Sequence, residues 1–211
     1  ELYISPQVEV REESKTGSIF DYDFQGESFH QVKIGMIGHY QIYNAALALT
    51  SLLVLRKKGK VKISDEDLYK GLAKARWAGR LEVLREEPTF LIDGAHNLQG
   101  IRNLAKSIKL FDYKRLILGI GILADKDVDH MIEEIADLAD EIVATEVNMP
   151  RRISAEDLAG KIGKYNKKVH IEKDIKKAVE KTFELAKRDD LIVFGGSLYL
   201  IGDVRTIEKL L

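Results

Sequence analysis

Leu91-Ile92-Asp93-Gly94-Ala95-His96-Asn97 decides the fold, because it ends an apolar run in a carboxylate, a Gly-Ala pair, an imidazole and an amide. A short apolar run stopped by turn residues reads as a buried strand, and the segment after it has apolar residues at helical spacing. The same alternation continues downstream. Strands are expected at residues 89–92, 116–120, 141–145, 169–172 and 191–194, with helices at 98–110, 128–139, 155–163, 175–187 and 198–210. Each crossover then carries a helix, which specifies an α/β fold: a doubly wound, mostly parallel sheet covered on both faces. Ligands in such sheets collect beyond the carboxyl ends of the strands, where residues 93–97 stand.

Upstream the organisation differs. From Leu2 to Met36 apolar residues alternate, through Val8 and Val10, then Phe20, Tyr22 and Phe24, then Val32, Ile34 and Met36, with a turn expected at Gly26. From Gln41 the period becomes helical through Ala45, Leu49 and Leu52, and it ends at Arg56-Lys57-Lys58-Gly59. Ser64-Asp65-Glu66-Asp67 caps a second helix. The domain boundary is placed near Arg80, giving domains of residues 1–80 and 81–211. The chain opens at Glu1 with strand-like alternation and no leader, which fits a fragment of a longer protein.

Composition narrows the function classes. The 211 residues have a formal net charge of -1, from 33 basic and 34 acidic residues interspersed along the chain, so a nucleic-acid partner is not expected. There is no cysteine for a disulfide or thiolate site, and no apolar run approaches the roughly 20 residues needed to span a bilayer. No membrane association is expected, and a cytoplasmic location fits best. His30, His130 and His170 have no second ligand at metal spacing, so no metal site is assigned.

Several residues carry chemistry by type and place. Asp93, at a strand end, could accept hydrogen bonds from two ribose hydroxyls, while Gly94 lets backbone approach a ligand. His96 and Asn97 open a helix, where free N–H groups favour phosphate. Taken alone, Asn97 is equally an ordinary helix cap. Gly195-Gly196-Ser197 ends the last strand and opens a helix, which is a carboxylate site in form, and Ser197 alone is again a cap. Asp125-Lys126-Asp127 could reach a reaction centre or be a solvated charge run. Gly119-Ile120-Gly121-Ile122-Leu123-Ala124 matches the Gly-x-Gly-x-x-Ala dinucleotide fingerprint, but Asp125-Lys126-Asp127 follows where its helix should continue.

Asp93-Gly94-Ala95-His96-Asn97 resembles the motif of folylpolyglutamate and dihydrofolate synthases, within the Mur ligase superfamily. Three further segments agree in order and spacing. Gly38-His39-Tyr40-Gln41-Ile42-Tyr43-Asn44-Ala45 is similar to the family's adenine segment, and Trp77-Ala78-Gly79-Arg80-Leu81-Glu82 to its Trp-x-Gly-Arg-x-Glu hinge. Gly195-Gly196-Ser197-Leu198-Tyr199 is similar to its C-terminal Gly-Ser-x-Tyr signature. Ala78 stands where proline is common in the family.

The resemblance implies a Rossmann-like C-terminal glutamate ligase domain, preceded by the strands and helices that end a Mur-ligase-type central domain. It implies an ATP- and Mg2+-dependent ligase joining L-glutamate to a folate or to dihydropteroate through an acyl phosphate. Asn44 would then bind adenine, Arg80 the phosphates and Asp93 the ribose, with Asn97 beside the nucleotide. His96, close to the phosphates, is the candidate catalytic residue. Ser197, Tyr199 and Lys126 would contact glutamate. No Gly-x-x-x-x-Gly-Lys-Ser/Thr string occurs, so the P-loop and the magnesium ligands are expected in a missing N-terminal part, and the isolated chain is expected to be inactive. The remaining alternatives are a cell-wall Mur ligase, a nucleotide-binding module without turnover and an NAD-dependent oxidoreductase.

Overall fold

The computed structural model describes residues 5–166 and 168–210. The chain divides into two compact units, Glu1–Trp77 and Ala78–Leu211.

In the first unit the alternating segments form β1 (Gln7–Ser14), β2 (Gly17–Phe24) and β3 (Glu27–Ile34), an antiparallel sheet in that order. The alternation expected from Leu2 to Ile4 lies outside the described residues. One departure has a clear cause. Tyr22 pairs with Phe29 although Phe20 pairs with Val32, because β3 bulges where Gln31 takes a φ of 55°. The bulge is held by Asp21, whose Oδ1 accepts the Gln31 N–H at 2.7 Å while its Oδ2 accepts from Arg11. Phe29 therefore joins Val32 and Ile34 on the buried face, and Met36 lies beyond the strand.

Helices α1 (His39–Lys57) and α2 (Asp65–Lys74) share a core with this sheet. Ser64 and Asp67 make the expected capping box. α1 buries Ile42, Ala45, Leu49 and Leu53, yet Tyr43 and Leu47 on its other side are exposed.

The second unit contains β4 (Glu82–Glu86), β5 (Thr89–Ile92), α3 (Leu98–Ile108), β6 (Leu116–Ile120), α4 (Val128–Glu133), β7 (Glu141–Ala144), α5 (Ala155–Ile162), β8 (Val169–Ile171), α6 (Ile175–Leu185), β9 (Leu191–Gly195) and α7 (Leu198–Glu208). The sheet order is β4-β5-β9-β6-β7-β8, parallel except for β4, which pairs antiparallel with β5. Crossovers from β5 through β6 and β7 to β8 all run one way, so the right-handed rule puts α3, α4 and α5 on one face. The return to β9 reverses direction and puts α6 on the other, against α7. Strand β9 enters between β5 and β6, and this is the reversal point at which such sheets bind ligands.

Two sequence expectations change. β4 is an additional edge strand, and its half-exposed residues gave no buried-run signal. The helix expected over 128–139 stops at Glu133, because Ile135 turns to a φ of -129° and a 3₁₀ turn, Ala136–Leu138, follows. Asn166 donates to the carbonyls of Ala136 and Ala139 and so satisfies groups that a continued helix would have bonded itself. Gly119 lies inside β6, and α4 starts only at Val128, so Gly119 and Gly121 do not form the strand-to-helix turn of a dinucleotide site.

Gly119 serves packing instead. A Cβ there would fall 2.3 Å from the ring of Phe194, which stands edge-on to Phe90 at 5.7 Å in the buried core. Gly119→Ala is expected to destabilise this unit by about 1–3 kcal/mol through overpacking, measurable as a lower midpoint in urea unfolding. An unchanged midpoint would mean that the ring moves aside freely.

Candidate active site

The carboxyl ends of β5, β9 and β6 are joined by backbone hydrogen bonds. The Asp93 N–H donates to the Phe194 carbonyl at 3.0 Å, that of Gly196 to Ala95 at 2.9 Å, and that of Gly121 to Gly195 at 3.4 Å. Gly196 takes a φ of 102°, and a Cβ there would lie 2.6 Å from the Gly121 carbonyl oxygen. Only glycine permits that approach.

Asp93 organises one side of this floor. Its carboxylate is buried, at 4% exposure, with Oδ1 accepting the Ala95 N–H at 2.8 Å and Oδ2 accepting the Leu81 N–H at 2.9 Å. The neighbouring Gly94 N–H donates to the Gly79 carbonyl at 2.8 Å. Arg80 therefore sits between two peptide groups that are both bonded to the Asp93-Gly94 turn. Burial raises the Asp93 pKa above the usual carboxylate range, against the opposing pull of those two N–H groups, Arg80 and His96. Each oxygen keeps a lone pair beyond its backbone bond.

His96 is half-buried, and its Nδ1 lies 2.8 Å from the Gly94 carbonyl. A carbonyl can only accept, so Nδ1 donates, and Nε2 has no hydrogen-bond partner among the described residues. Asn97 is exposed and its Oδ1 accepts the Gly100 N–H, capping α3. Its carboxamide N–H groups remain available. Arg80 is half-buried and, among the described residues, has no hydrogen bond or ion pair.

Ser197 caps α7. It is 2% exposed, and its Oγ accepts the Tyr199 N–H at 3.2 Å, leaving its own proton to donate. Tyr199 is 51% exposed. The structure thus brings Arg80, Asp93, His96, Asn97 and Ser197 onto one bonded backbone surface. Lys126 lies in the loop after β6, where its ammonium is 3.6 Å from Asp125 and the loop is tied to Arg151. Asn44 stands on α1 of the first unit, exposed, donating to the buried Gln41 at 2.9 Å.

Two residues with no role assigned from sequence belong here. Glu82 Oε2 accepts the Gly79 N–H at 2.7 Å, and Arg205 Nε donates to both Glu82 oxygens. Glu82 had a signal, since it closes the Gly-Arg-x-Glu string; Arg205 had none, because its partner lies 123 residues away in sequence.

The family profile described as Mur ligase, glutamate ligase domain matches residues 79–198, from Gly79 to just past Ser197. The chain belongs to the Mur ligase family. A Bacillus subtilis dihydrofolate synthase/folylpolyglutamate synthase is 34% identical to this Mur ligase chain over 191 residues, which is 90% of this chain and 44% of the relative. Among solved structures, the folylpolyglutamate synthase of Mycobacterium tuberculosis complexed with ADP superposes with a TM-score of 0.86 at 26% identity, over 98% of this chain and 48% of that one. The Thermotoga maritima folylpolyglutamate synthase gives 0.79 at 30% identity, over 97% and 47%. This Mur ligase chain spans about half the length of each of these three relatives.

Asp93→Asn tests the double acceptor. A carboxamide has one oxygen, so one of the Leu81 and Ala95 N–H groups must face an NH2, at an expected cost of about 1–3 kcal/mol in unfolding free energy. Because the folded pKa of Asp93 is raised, its contribution is full below about pH 4 and declines as pH rises through the folded value. The stability gap between the two proteins should therefore narrow as pH rises, and a gap that widens would contradict the assigned direction.

Proposed function

We propose that the protein contributes one wall of the active site of an ATP-dependent, ADP-forming amide ligase that adds L-glutamate to a folate, to dihydropteroate, or to both. The observation that carries this reading is the surface formed by Arg80, His96 and the start of α3. It offers a guanidinium with no hydrogen-bond or ion-pair partner among the described residues, an imidazole whose Nε2 is likewise unbonded among them, and an exposed carboxamide beside free helical N–H groups. Such a surface suits a polyphosphate. The family membership, the folylpolyglutamate synthase relatives and the ADP complex of one of them support the same assignment.

In this reading the acceptor's carboxylate takes the γ-phosphoryl group of ATP, and the amine of glutamate displaces phosphate from the acyl phosphate to give the amide. A carboxylate is a poor electrophile, and phosphorylation supplies the leaving group. Arg80 holds phosphate oxygens with its planar fork, and Asp93 offers its remaining lone pairs to the ribose while holding the turn. His96 stands close to the phosphates with Nε2 outward, the position of a catalytic group, and Asn97 adds a carboxamide beside the nucleotide. Asn44 would take the adenine edge, donor to acceptor and acceptor to donor. Ser197, Tyr199 and Lys126 would receive glutamate, Ser197 through its free hydroxyl proton.

Among the described residues no group of three or more His, Asp and Glu side chains could hold a metal ion. The magnesium and P-loop of the proposed chemistry would come from an N-terminal part, so this chain alone is expected to release no phosphate. Mixing it with ATP, magnesium, glutamate and folate, with and without that part, measures this directly; turnover by the chain alone would overturn the half-site reading.

In the full-length enzyme, Arg80→Lys is expected to lower kcat/KM for ATP by roughly 10- to 100-fold, because a point charge cannot pair two oxygens. Ser197→Ala should raise KM for glutamate and leave KM for ATP unchanged. Steady-state kinetics with each substrate limiting separates the two, and the opposite split would exchange the proposed subsites.

A further inference from the structure

We infer that Glu82 and Arg205 are positioning residues for Arg80, acting through the backbone of Gly79. The inference rests on the proposed phosphate contact of Arg80 and extends it to two residues that touch neither nucleotide nor glutamate in that reading.

The direction of the Arg80 side chain is not set by a side-chain partner, since it has none among the described residues. It is set by its backbone, which is unusual on both sides. Gly79 has a φ of 72° and Leu81 a φ of 45°, so a left-handed leucine directly follows the arginine. A branched side chain keeps that conformation only where its surroundings hold it.

Two carboxylates provide the hold. On one side Asp93 accepts the Leu81 N–H, and Gly94 donates to the Gly79 carbonyl. On the other, Glu82 accepts the Gly79 N–H at 2.7 Å, and Arg205 Nε fixes that carboxylate from 3.0 and 3.2 Å. Gly79 is thus bonded at its N–H and at its carbonyl, by different partners, so that both peptide groups flanking the residue before Arg80 are held.

α7 supplies the surface behind this segment. Leu198, Ile201 and Arg205 follow at spacings of three and four and share one helical face. Ile201 Cδ1 lies 2.7 Å from where a Gly79 Cβ would stand, and Leu198 Cδ2 lies 2.4 Å from that of Gly94. The first two residues press on the turn through apolar contact, and Arg205 ends the same face with a charge aimed at Glu82. Arg205 and Glu82 keep 40% and 22% side-chain exposure, so the pair adds little to global stability. What it fixes is geometry.

The test is a double-mutant cycle in the full-length protein, reading Kd for ADP and for adenosine by calorimetry. Arg205→Ala and Glu82→Ala should each weaken ADP roughly tenfold, the scale of a lost hydrogen bond to a charged group, and leave adenosine unchanged. Arg205→Lys should restore most of the loss. Arg80→Ala/Arg205→Ala should bind ADP no more weakly than Arg80→Ala alone, because a positioning residue has nothing left to position. Losses that multiply in the double variant, or an Arg205→Ala protein that binds ADP like the wild type, would overturn the inference. If the wild type binds no ADP, the nucleotide reading itself fails. Amide exchange at Gly79 still judges the bracket in that case, since Arg205→Ala should accelerate it, and unchanged exchange would overturn the bracket as well.

Discussion

The pair of hydrogen bonds that the buried Asp93 carboxylate accepts from the Leu81 and Ala95 amides is the constraint on which the site depends. One oxygen bonds backward in sequence to the segment that enters the sheet, and the other bonds forward to the turn that starts α3. A carboxylate is the one common side chain that can accept from two diverging N–H groups without presenting a donor to either. Its burial raises the cost of ionisation, and the two amides lower it again. The site's electrostatics and its backbone geometry are therefore set by the same atoms.

This arrangement also joins binding to architecture. Arg80 is flanked by peptide groups bonded to the β5 turn, and the β5 turn is bonded through Gly196 to the start of α7. Residues proposed for phosphate and residues proposed for glutamate thus stand on one continuous network, separated by a few backbone bonds. The amide formation proposed above would ask mainly for such fixed relative placement of reactants.

Much of this was legible in the sequence. Strands β5, β6, β7 and β9 appear as apolar runs because both of their faces are covered, and the strand ends carry the turn residues that mark ligand sites. The caps at Ser64, Asn97 and Ser197 were legible because capping is a local property of three or four residues. The edge strand β4 was not, since a half-exposed edge has no continuous apolar run. The bulge at Gln31 was hidden because it depends on Asp21, which reaches it across strands. The Glu82–Arg205 pair was hidden for the same reason, as no local pattern announces a partner on the last helix. The Asp93 motif was read as a ligand contact; that its oxygens also bond the chain's own amides follows only from three-dimensional packing.

The placement of β9 has a consequence for how the molecule comes to exist. Strands β5 and β6 each pair with β9 and not with each other, although everything from α3 to α6 is made between β5 and β9. Until the last strand is available, the sheet is two separate pieces with unpaired inner edges, and the loops that form the floor of the candidate site have nothing to bond to. Such non-local pairing is slow to form and leaves edges exposed to other chains in the meantime. On the ribosome, the capacity to bind a ligand would therefore arrive in one step, at the end of synthesis of this unit, rather than accumulate strand by strand. A nascent chain would be open to chaperones and proteases until that step, and afterwards a ligand at the floor would hold the late strand in place.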